Sequence, residues 1–440
     1  MVEKVGMERI VVPVMVRELD MERDLPAVEE LERRCEVGIS GDQGSSAADG
    51  AKKSKKKKKR NGMSLCVEQI GDPLARVRHT PEHVMLVAEC GEKMVGVIKA
   101  CIKMVSRGSI GGRKNTSSSS SSSGSPAQQQ PLYVKVAIIL GLRVSPSHRR
   151  LGIGTTLVRA AEEWSRARGA AHATMATTVS NKASLALFAG RFGYKPFRRP
   201  VLLGRPVHAR RLPLPRRHRV FQLQPPLAAA AYASLLPPQD TEFLPADMPA
   251  LLAHKLTLGT FVAIEGSDHH TPPAGTGAAD AEPPSYAVLS VWDSTRSLRM
   301  RVGGAPALLQ HSLAAVRALD RAAPWMRVPS VPDIFRPFGA YLLFGVRMSG
   351  PAGPALLRTL CRHAHNVARK NPACAVVAAD LAPGDPAAAA VPRWRRFSCD
   401  EDVWCIKNLG DGNAASASDD DDWAAPAPAG SILFVDPREF

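Results

Sequence analysis

Apolar and polar positions along this chain fall into blocks that predict strands and helices in a definite order. Ile10 to Val16 reads as a first strand, and Met21 to Arg34 as an amphipathic helix with Leu25, Val28 and Leu31 on one side. The pattern stops at a Gly/Ser/Lys-rich insert, about 38–62, and resumes at Leu65 to Ile70. Val84 to Cys90 and Met94 to Val105, joined by Gly91-Glu92-Lys93, predict a β-hairpin. A second insert, about 106–130, contains the unbroken serine run Ser117 to Ser123. Val134 to Val144 then reads as a strand. The helix that begins near Thr155 carries Leu157, Ala161 and Trp164 at helical spacing. Ala170 to Thr177 is a further strand, and Asn181 opens a helix with Leu185, Leu187 and Phe188 ahead of Phe192-Gly193-Tyr194.

The Arg/Pro-rich stretch after residue 200 breaks this rhythm, because Pro213 and Pro215 disfavour regular structure. It divides the chain into a first domain at 9–200, a linker at 201–217, a second domain at 218–410 with a loose loop at 266–284, and a tail at 411–440. That tail holds the acidic run Asp419 to Asp422, a solvated spacer, and ends in the strand-like Ile432 to Val435. The second domain reads as a strand at Val220 to Leu223, a helix at Leu227 to Leu236, and paired strands at Thr260 to Glu265 and Tyr286 to Trp292. Further on, Gly345-Val346-Arg347-Met348-Ser349 echoes Gly141-Leu142-Arg143-Val144-Ser145. Gly350, Gly353, a helix from about Ala355 to Lys370 and a strand from Cys374 to Asp380 follow it. Chance similarity of two strand-turn-helix units is the alternative explanation.

Between the strand ending at Val144 and the following helix lies Arg149-Arg150-Leu151-Gly152-Ile153-Gly154. Glycines admit a ligand close to the backbone, and the first amides of a helix are unpaired at the positive end of its dipole. Such a turn binds pyrophosphate. A dinucleotide fingerprint would need a third glycine where Leu157 stands, and a P-loop would need Gly-Lys-Ser/Thr, so neither fits. The second echo lacks the arginine pair, and Pro351 and Pro354 remove amides a phosphate would use.

Length and charge narrow the class further. The 440 residues have room for two to three domains. No apolar stretch reaches the roughly 20 residues that span a bilayer, and the N-terminus lacks a signal-peptide core, so an intracellular protein without membrane contact is expected. Net charge is +17, and eight of the positive residues lie in Lys52 to Arg60, which leaves +9 for the rest. That tract fits a nuclear-import signal, a solvated loop or a weak nucleic-acid contact. The eight cysteines show no Cys-x-x-Cys spacing, and His363 and His365 lie about 200° apart on their helix, so no metal site is expected.

The glycine loop resembles motif A of the GCN5-related N-acetyltransferase (GNAT) superfamily, Arg/Gln-x-x-Gly-x-Gly, through Arg149, Gly152 and Gly154. Asn181-Lys182-Ala183-Ser184 is similar to its motif B. Longer segments resemble the plant Hookless N-acetyltransferase family: Gly141 to Pro146, Thr241 to Phe243, Lys255 to Phe261, Ser398 to Cys405 and Phe434 to Phe440. The resemblance implies an α/β fold of the α+β type, a mixed central sheet flanked by helices, with a second, degenerate acetyltransferase-like half. It implies acetyl-CoA as co-substrate, held by Leu142, Arg143, Val144, Arg149, Arg150, Leu151, Gly152, Ile153, Gly154, Thr155, Asn181 and Ser184. It also implies a protein amine acceptor, histones among the candidates, and a nuclear role in ethylene- and auxin-regulated growth.

One departure matters for catalysis. Many family enzymes place a tyrosine in the motif B helix as general acid, and Phe188 stands at the matching position. Tyr194, Tyr133 or a water could serve instead. Glu89, near the end of its hairpin strand, is the candidate base. The sequence therefore leaves three readings open: an N-acetyltransferase, a coenzyme-binding scaffold with weak turnover, and a nucleic-acid-binding protein.

Overall fold

A strand as apolar on both sides as Met94 to Val105 needs cover on both faces, and the fold supplies it. The computed structural model describes residues 13–35, 64–68, 72–108, 132–266, 284–326, 330–393, 402–410, 423, 425–428 and 430–439. Most of both inserts, the tract Lys52 to Arg60, the run Asp419 to Asp422 and Ile10 to Val12 of the predicted first strand lie outside these residues.

The chain runs through β1 (Val14–Glu18), α1 (Met21–Arg34), β2 (Ser64–Glu68), β3 (Glu82–Cys90), β4 (Lys93–Arg107), β5 (Tyr133–Val144), α2 (Ile153–Ala167) and β6 (His172–Thr178). There follow α3 (Lys182–Leu185), continued by a π-helical turn to Arg191, β7 (Lys195–Arg198), β8 (Val201–Pro206), β9 (His218–Leu223), α4 (Pro225–Leu235), β10 (Thr241–Pro245) and α5 (Met248–Ala253). The remainder is β11 (Thr257–Glu265), β12 (Tyr286–Asp293), β13 (Arg299–Gly303), α6 (Ala307–Ala322), β14 (Gly339–Ser349), α7 (Gly353–Ala368), β15 (Cys374–Leu381), α8 (Pro386–Ala390), β16 (Asp402–Asn408) and β17 (Ile432–Leu433).

Two sheets follow the same path. The first has the order β1-β3-β4-β5-β6-β16-β7, and the second β9-β11-β12-β14-β15-β8. Orientation matches step by step: β5 and β6 are parallel, as are β14 and β15, and the strand beyond each is antiparallel. The helices match as well, since α1, α2 and α3 occupy the places in the chain that α4, α7 and α8 occupy in the second half. The echo at Gly345 is therefore part of a full structural repeat.

The domain boundaries read from sequence need correction at two places. Residues 201–206, assigned to the linker, form β8, which pairs with β15 inside the second sheet. Residues 402–408, assigned to the second domain, form β16, which lies between β6 and β7 of the first sheet. Each half thus gives a strand to the other. Prolines at 213 and 215 do lie in irregular chain, but the break starts only after β8.

Further contacts tie the halves together. β10 pairs with the end of β4, and β2 pairs with β13. Arg198 on β7 grips Glu242 on β10 through two hydrogen bonds of 2.6 and 2.7 Å. Lys103 on β4 bonds Asp436 and Glu439 at 2.8 Å each, and Arg438 joins Asp436 to Asp247. These groups are mostly buried, and a buried carboxylate without its partner would be costly.

Two helices cover β4. On one face Ile98 and Ala100 share a core with Ile153, Leu157 and Ala161 of α2. On the other, Val97 packs with Val28 and Leu31 of α1. Gly96 sets how closely α2 approaches: a Cβ there would lie 2.9 Å from Leu157 Cδ1, 3.0 Å from Ile153 Cγ2 and 3.1 Å from the Arg143 carbonyl. Gly96→Val overpacks this contact and is expected to destabilise the protein by about 1–3 kcal/mol, read from chemical denaturation. An unchanged denaturation midpoint would show that α2 yields freely.

Acid should also weaken the fold. His172 and His365 are 5% and 1% exposed, and burial pushes both imidazoles down to about 4. Between pH 6.5 and 4 the unfolded chain then binds more protons than the folded one, so this contribution to stability falls as pH falls through that window. A melting temperature that drops across pH 6.5 to 4, and drops less in His172→Gln, is the expected result. An equal drop in that variant would remove His172 as a cause.

Candidate functional site

The site forms where β5 leaves the first sheet. Its parallel pairing with β6 runs from Val136 opposite His172 to Ile139 opposite Met175 and then stops, although β5 continues to Val144 and β6 to Thr178. The two strands part there. On its other side β5 stays paired to β4, with a bulge between the pairs Lys99–Leu140 and Val97–Arg143. Gly141 takes φ +66° within it, and a Cβ would press on the Lys99 side chain at 3.2 Å. Glycine is needed at this bend for both reasons.

Ser145 anchors the exit from β5 through its amide to the Val95 carbonyl at 2.8 Å. The loop then passes Arg150 at φ +65° and reaches Gly152 at φ +84°, the residue that caps α2. No side chain caps this helix start. The amide of Thr156 makes the first helical bond, to the Gly152 carbonyl at 3.0 Å. The amides of Ile153, Gly154 and Thr155 precede it, so none has a carbonyl within the helix to bond. A Cβ on Gly152 would meet nothing within 4 Å. The glycine serves the turn itself and leaves the space before the amides open.

Arg149, Arg150 and Leu151 line the exposed side of this turn, and Leu151 is 63% exposed. Gly154 faces inward, 3.4 Å from Leu187 and 3.8 Å from Val144 when given a Cβ. The helix start, the end of β5 and the turn after α3 therefore converge. Positive side chains beside uncapped amides at a helix N-terminus suit a phosphate-bearing group. Of the residues predicted to hold the coenzyme, 142–144 and 149–155 are contiguous here. Leu142 and Val144 pack toward the α2 core, while Arg143 points to the opposite, α1 face.

Asn181 and Ser184 use their groups locally. Asn181 accepts from the Ser184 amide at 3.1 Å and donates to Thr177 Oγ1 at 3.1 Å, the geometry of an N-cap.

The predicted acid and base residues are distant from this site or engaged by other groups. Tyr133 begins β5, eleven positions before Val144, or roughly 36 Å along a strand at about 3.3 Å per residue. Tyr194 is 2% exposed and meets Phe188 edge-on, ring centroids 5.2 Å apart. Its hydroxyl lies near the Glu162 carboxylate without a well-formed hydrogen bond, and burial, then that carboxylate, holds its pKa well above the usual value. It is a core residue. Glu89 is bonded by Arg17 and, at 3.4 Å, by Arg23, and the Arg17 hydrogen bond holds its carboxyl below the usual range. A general base needs the opposite shift.

Sequence reading missed the charged groups beneath the bulge. Lys99 is fully buried and bonds Glu32 at 3.0 Å, and burial lowers its pKa to about 8. Cys35, at the end of α1, donates to the Val144 carbonyl at 3.4 Å. The signal was Lys99 and Lys103 standing four apart, on one face of an otherwise apolar strand.

The second half repeats the bend but not the opening. Gly345 has φ +60° at a bulge between Phe344–Ser290 and Arg347–Val288. The Ser285 hydroxyl accepts from the Ala352 amide at 3.2 Å and crowds Gly350, and Pro354 follows at the helix start. Beyond the β14/β15 pairing, Gly345 to Arg347 and Ile432 to Val435 line one narrow pocket. Among the described residues no group of three or more potential metal ligands occurs. His365 accepts from the His208 amide at 2.8 Å, and His363 packs at a tilt of 51° against Phe261. No described helix is long and apolar enough to cross a membrane.

The acetyltransferase (GNAT) family model matches residues 62–194. The chain is 67% identical to acetyl transferase GW6a of Oryza sativa subsp. japonica, with all of both chains covered. It is 41% identical to the protein described as "Probable N-acetyltransferase HLS1" of Arabidopsis thaliana, covering 97% of this chain and 100% of that one. Among solved structures it is similar to a tandem GNAT protein from the clavulanic acid biosynthesis pathway, at 13% identity and TM-score 0.42, over 91% of this chain and 100% of that one.

Proposed function

The chain belongs to the Hookless-type branch of the GNAT acetyltransferases and is an acyltransferase, and from that premise we propose that it moves an acetyl group from acetyl-CoA to a protein amine. The observation that carries the reading is the uncapped start of α2 behind Gly152, beside the gap where β5 and β6 part. The amides of Ile153, Gly154 and Thr155, with Arg149 and Arg150, fit the pyrophosphate. Acetyl-CoA supplies an activated acyl carbon and a thiolate leaving group. The backbone of Leu142 to Val144, turned by the Gly141 bulge and no longer paired to β6, supports a role in orienting the acyl oxygen.

Only about one lysine amine in a thousand is neutral at pH 7.4, so the acceptor must first give up a proton. Tyr133 lies far down β5, Tyr194 packs in the core and Glu89 is held by Arg17 and Arg23, which favours proton transfer through water. Histones as acceptor, the nucleus as location and a part in ethylene- and auxin-regulated growth complete the proposal. The Lys52 to Arg60 tract supports the nuclear address.

Phe188 and the buried Tyr194 support a second reading, a regulator that binds the coenzyme with little turnover. Mass-spectrometric detection of acetylated histone peptides and free coenzyme A separates the two. Binding of acetyl-CoA without product across a broad panel of amines would leave only the regulator.

A further inference from the structure

Charge does not balance on the α1 side of the gap. Three cations gather there: Lys99 beneath Gly141, Arg76, and Arg143 beside the bulge. Glu32 is bonded to Lys99 at 3.0 Å. Arg76 donates to the Glu439 carbonyl, and the Glu439 carboxylate is held by Lys103. Arg143 is left over. Its Nε is buried with no hydrogen-bond partner among the described residues, and the carboxylate whose charge reaches it, Glu32, is already bonded to Lys99. Burial lowers its pKa, and the charge of Glu32 opposes that shift without cancelling it. Arg143 is half-buried, its Nε is enclosed without a partner, and it shares the charge of Glu32 with Lys99, so the cation at the end of β5 is only partly balanced.

Its position gives the cation a use. Leu142 and Val144 face the α2 core, on the side where the glycine loop lies, and the residue between them faces the other way. An acceptor that reaches the gap from the side opposite the loop meets Arg143. Cys35, bonded to the Val144 carbonyl, marks how close α1 comes to the same point.

We propose that Arg143 recognises the acceptor by binding a carboxylate carried next to the amine that receives the acetyl group. The inference rests on the acetyltransferase reading and narrows it. The acceptor class is an amine with an adjacent carboxylate, either a lysine flanked by Asp or Glu in a protein or a free α-amino acid. A guanidinium binds such a group through two parallel hydrogen bonds, which also fixes its orientation.

The test uses the full chain and two matched pairs of probes: a capped tetrapeptide containing Lys-Asp against the same peptide with Lys-Asn, and lysine against lysinamide. Calorimetric titration in the presence of coenzyme A reads affinity whether or not turnover occurs, and product formation is measured on the same samples. At least one carboxylate probe should bind about tenfold more tightly than its neutral partner. Arg143→Gln should level that pair, while Arg143→Lys retains part of the preference, in variants whose melting temperature confirms folding. The pair that shows the effect identifies the protein or the amino-acid source. Equal affinities within both pairs, no binding of any probe, or a preference that persists in Arg143→Gln would overturn the assignment. A carboxylate preference without product would remove the transferase reading and leave the Arg143 assignment standing.

Discussion

Gly152→Glu is expected to weaken coenzyme binding by about 100-fold or more. The substitution acts twice. A side chain at φ +84° costs about 1–2 kcal/mol, and a carboxylate is placed where phosphates would meet the amides of Ile153 to Thr155. Like-charge repulsion near a surface adds a similar amount, so affinity for acetyl-CoA falls by about 100-fold or more, at about 1.4 kcal/mol per factor of ten. Gly152→Ala isolates the first effect. Because a Cβ there meets nothing within 4 Å, its loss, about tenfold, comes from backbone conformation and not from contact. Titration calorimetry with acetyl-CoA reads both. Wild-type affinity in Gly152→Glu would place the coenzyme elsewhere.

Truncation after residue 217 leaves no cooperatively folded protein. The shortened chain retains the family-matched region 62–194 and would seem a complete domain from sequence alone. It lacks β16, which pairs with β6 from Asp402 opposite Thr178 to Asn408 opposite His172, and with β7 on the other side. It also exposes β8, whose partner β15 is gone, and leaves Arg198 buried without Glu242. Loss of a central strand removes ladder hydrogen bonds on both edges and the side chains of Val403 and Cys405 from the core. Circular dichroism on heating should show no sharp transition. A cooperative melt together with acetyl-CoA binding would show that β7 can close directly onto β6.

Parts of this fold are written locally in the sequence and parts are not. The glycine loop was legible because its chemistry is local: a backbone turn, unpaired amides and two arginines lie within six consecutive residues. The repeat was legible too, through Gly141 and Gly345, since the bulge in each half demands a residue that accepts positive φ. The exchange of β8 and β16 was not. Strand alternation reports which residues face a core but carries no label for which sheet they join. The partners of Glu89 and Tyr194 were hidden for a related reason, because a carboxylate at a strand end and a tyrosine after a helix look alike whether free or engaged. Only Arg17, Arg23 and the packing around Phe188 decide their roles.

The strand exchange also sets a timetable for synthesis. About 200 residues separate β7 from β16, so at roughly 5–20 residues per second the ribosome needs on the order of 10–40 s to deliver the missing strand. For that interval the nascent first half holds open strand edges on β6 and β7, the kind of edge that pairs with other chains. The glycine loop, formed early in translation, gains its finished sheet only near the end. Chaperone demand during translation should therefore be concentrated between the emergence of residue 198 and that of residue 408.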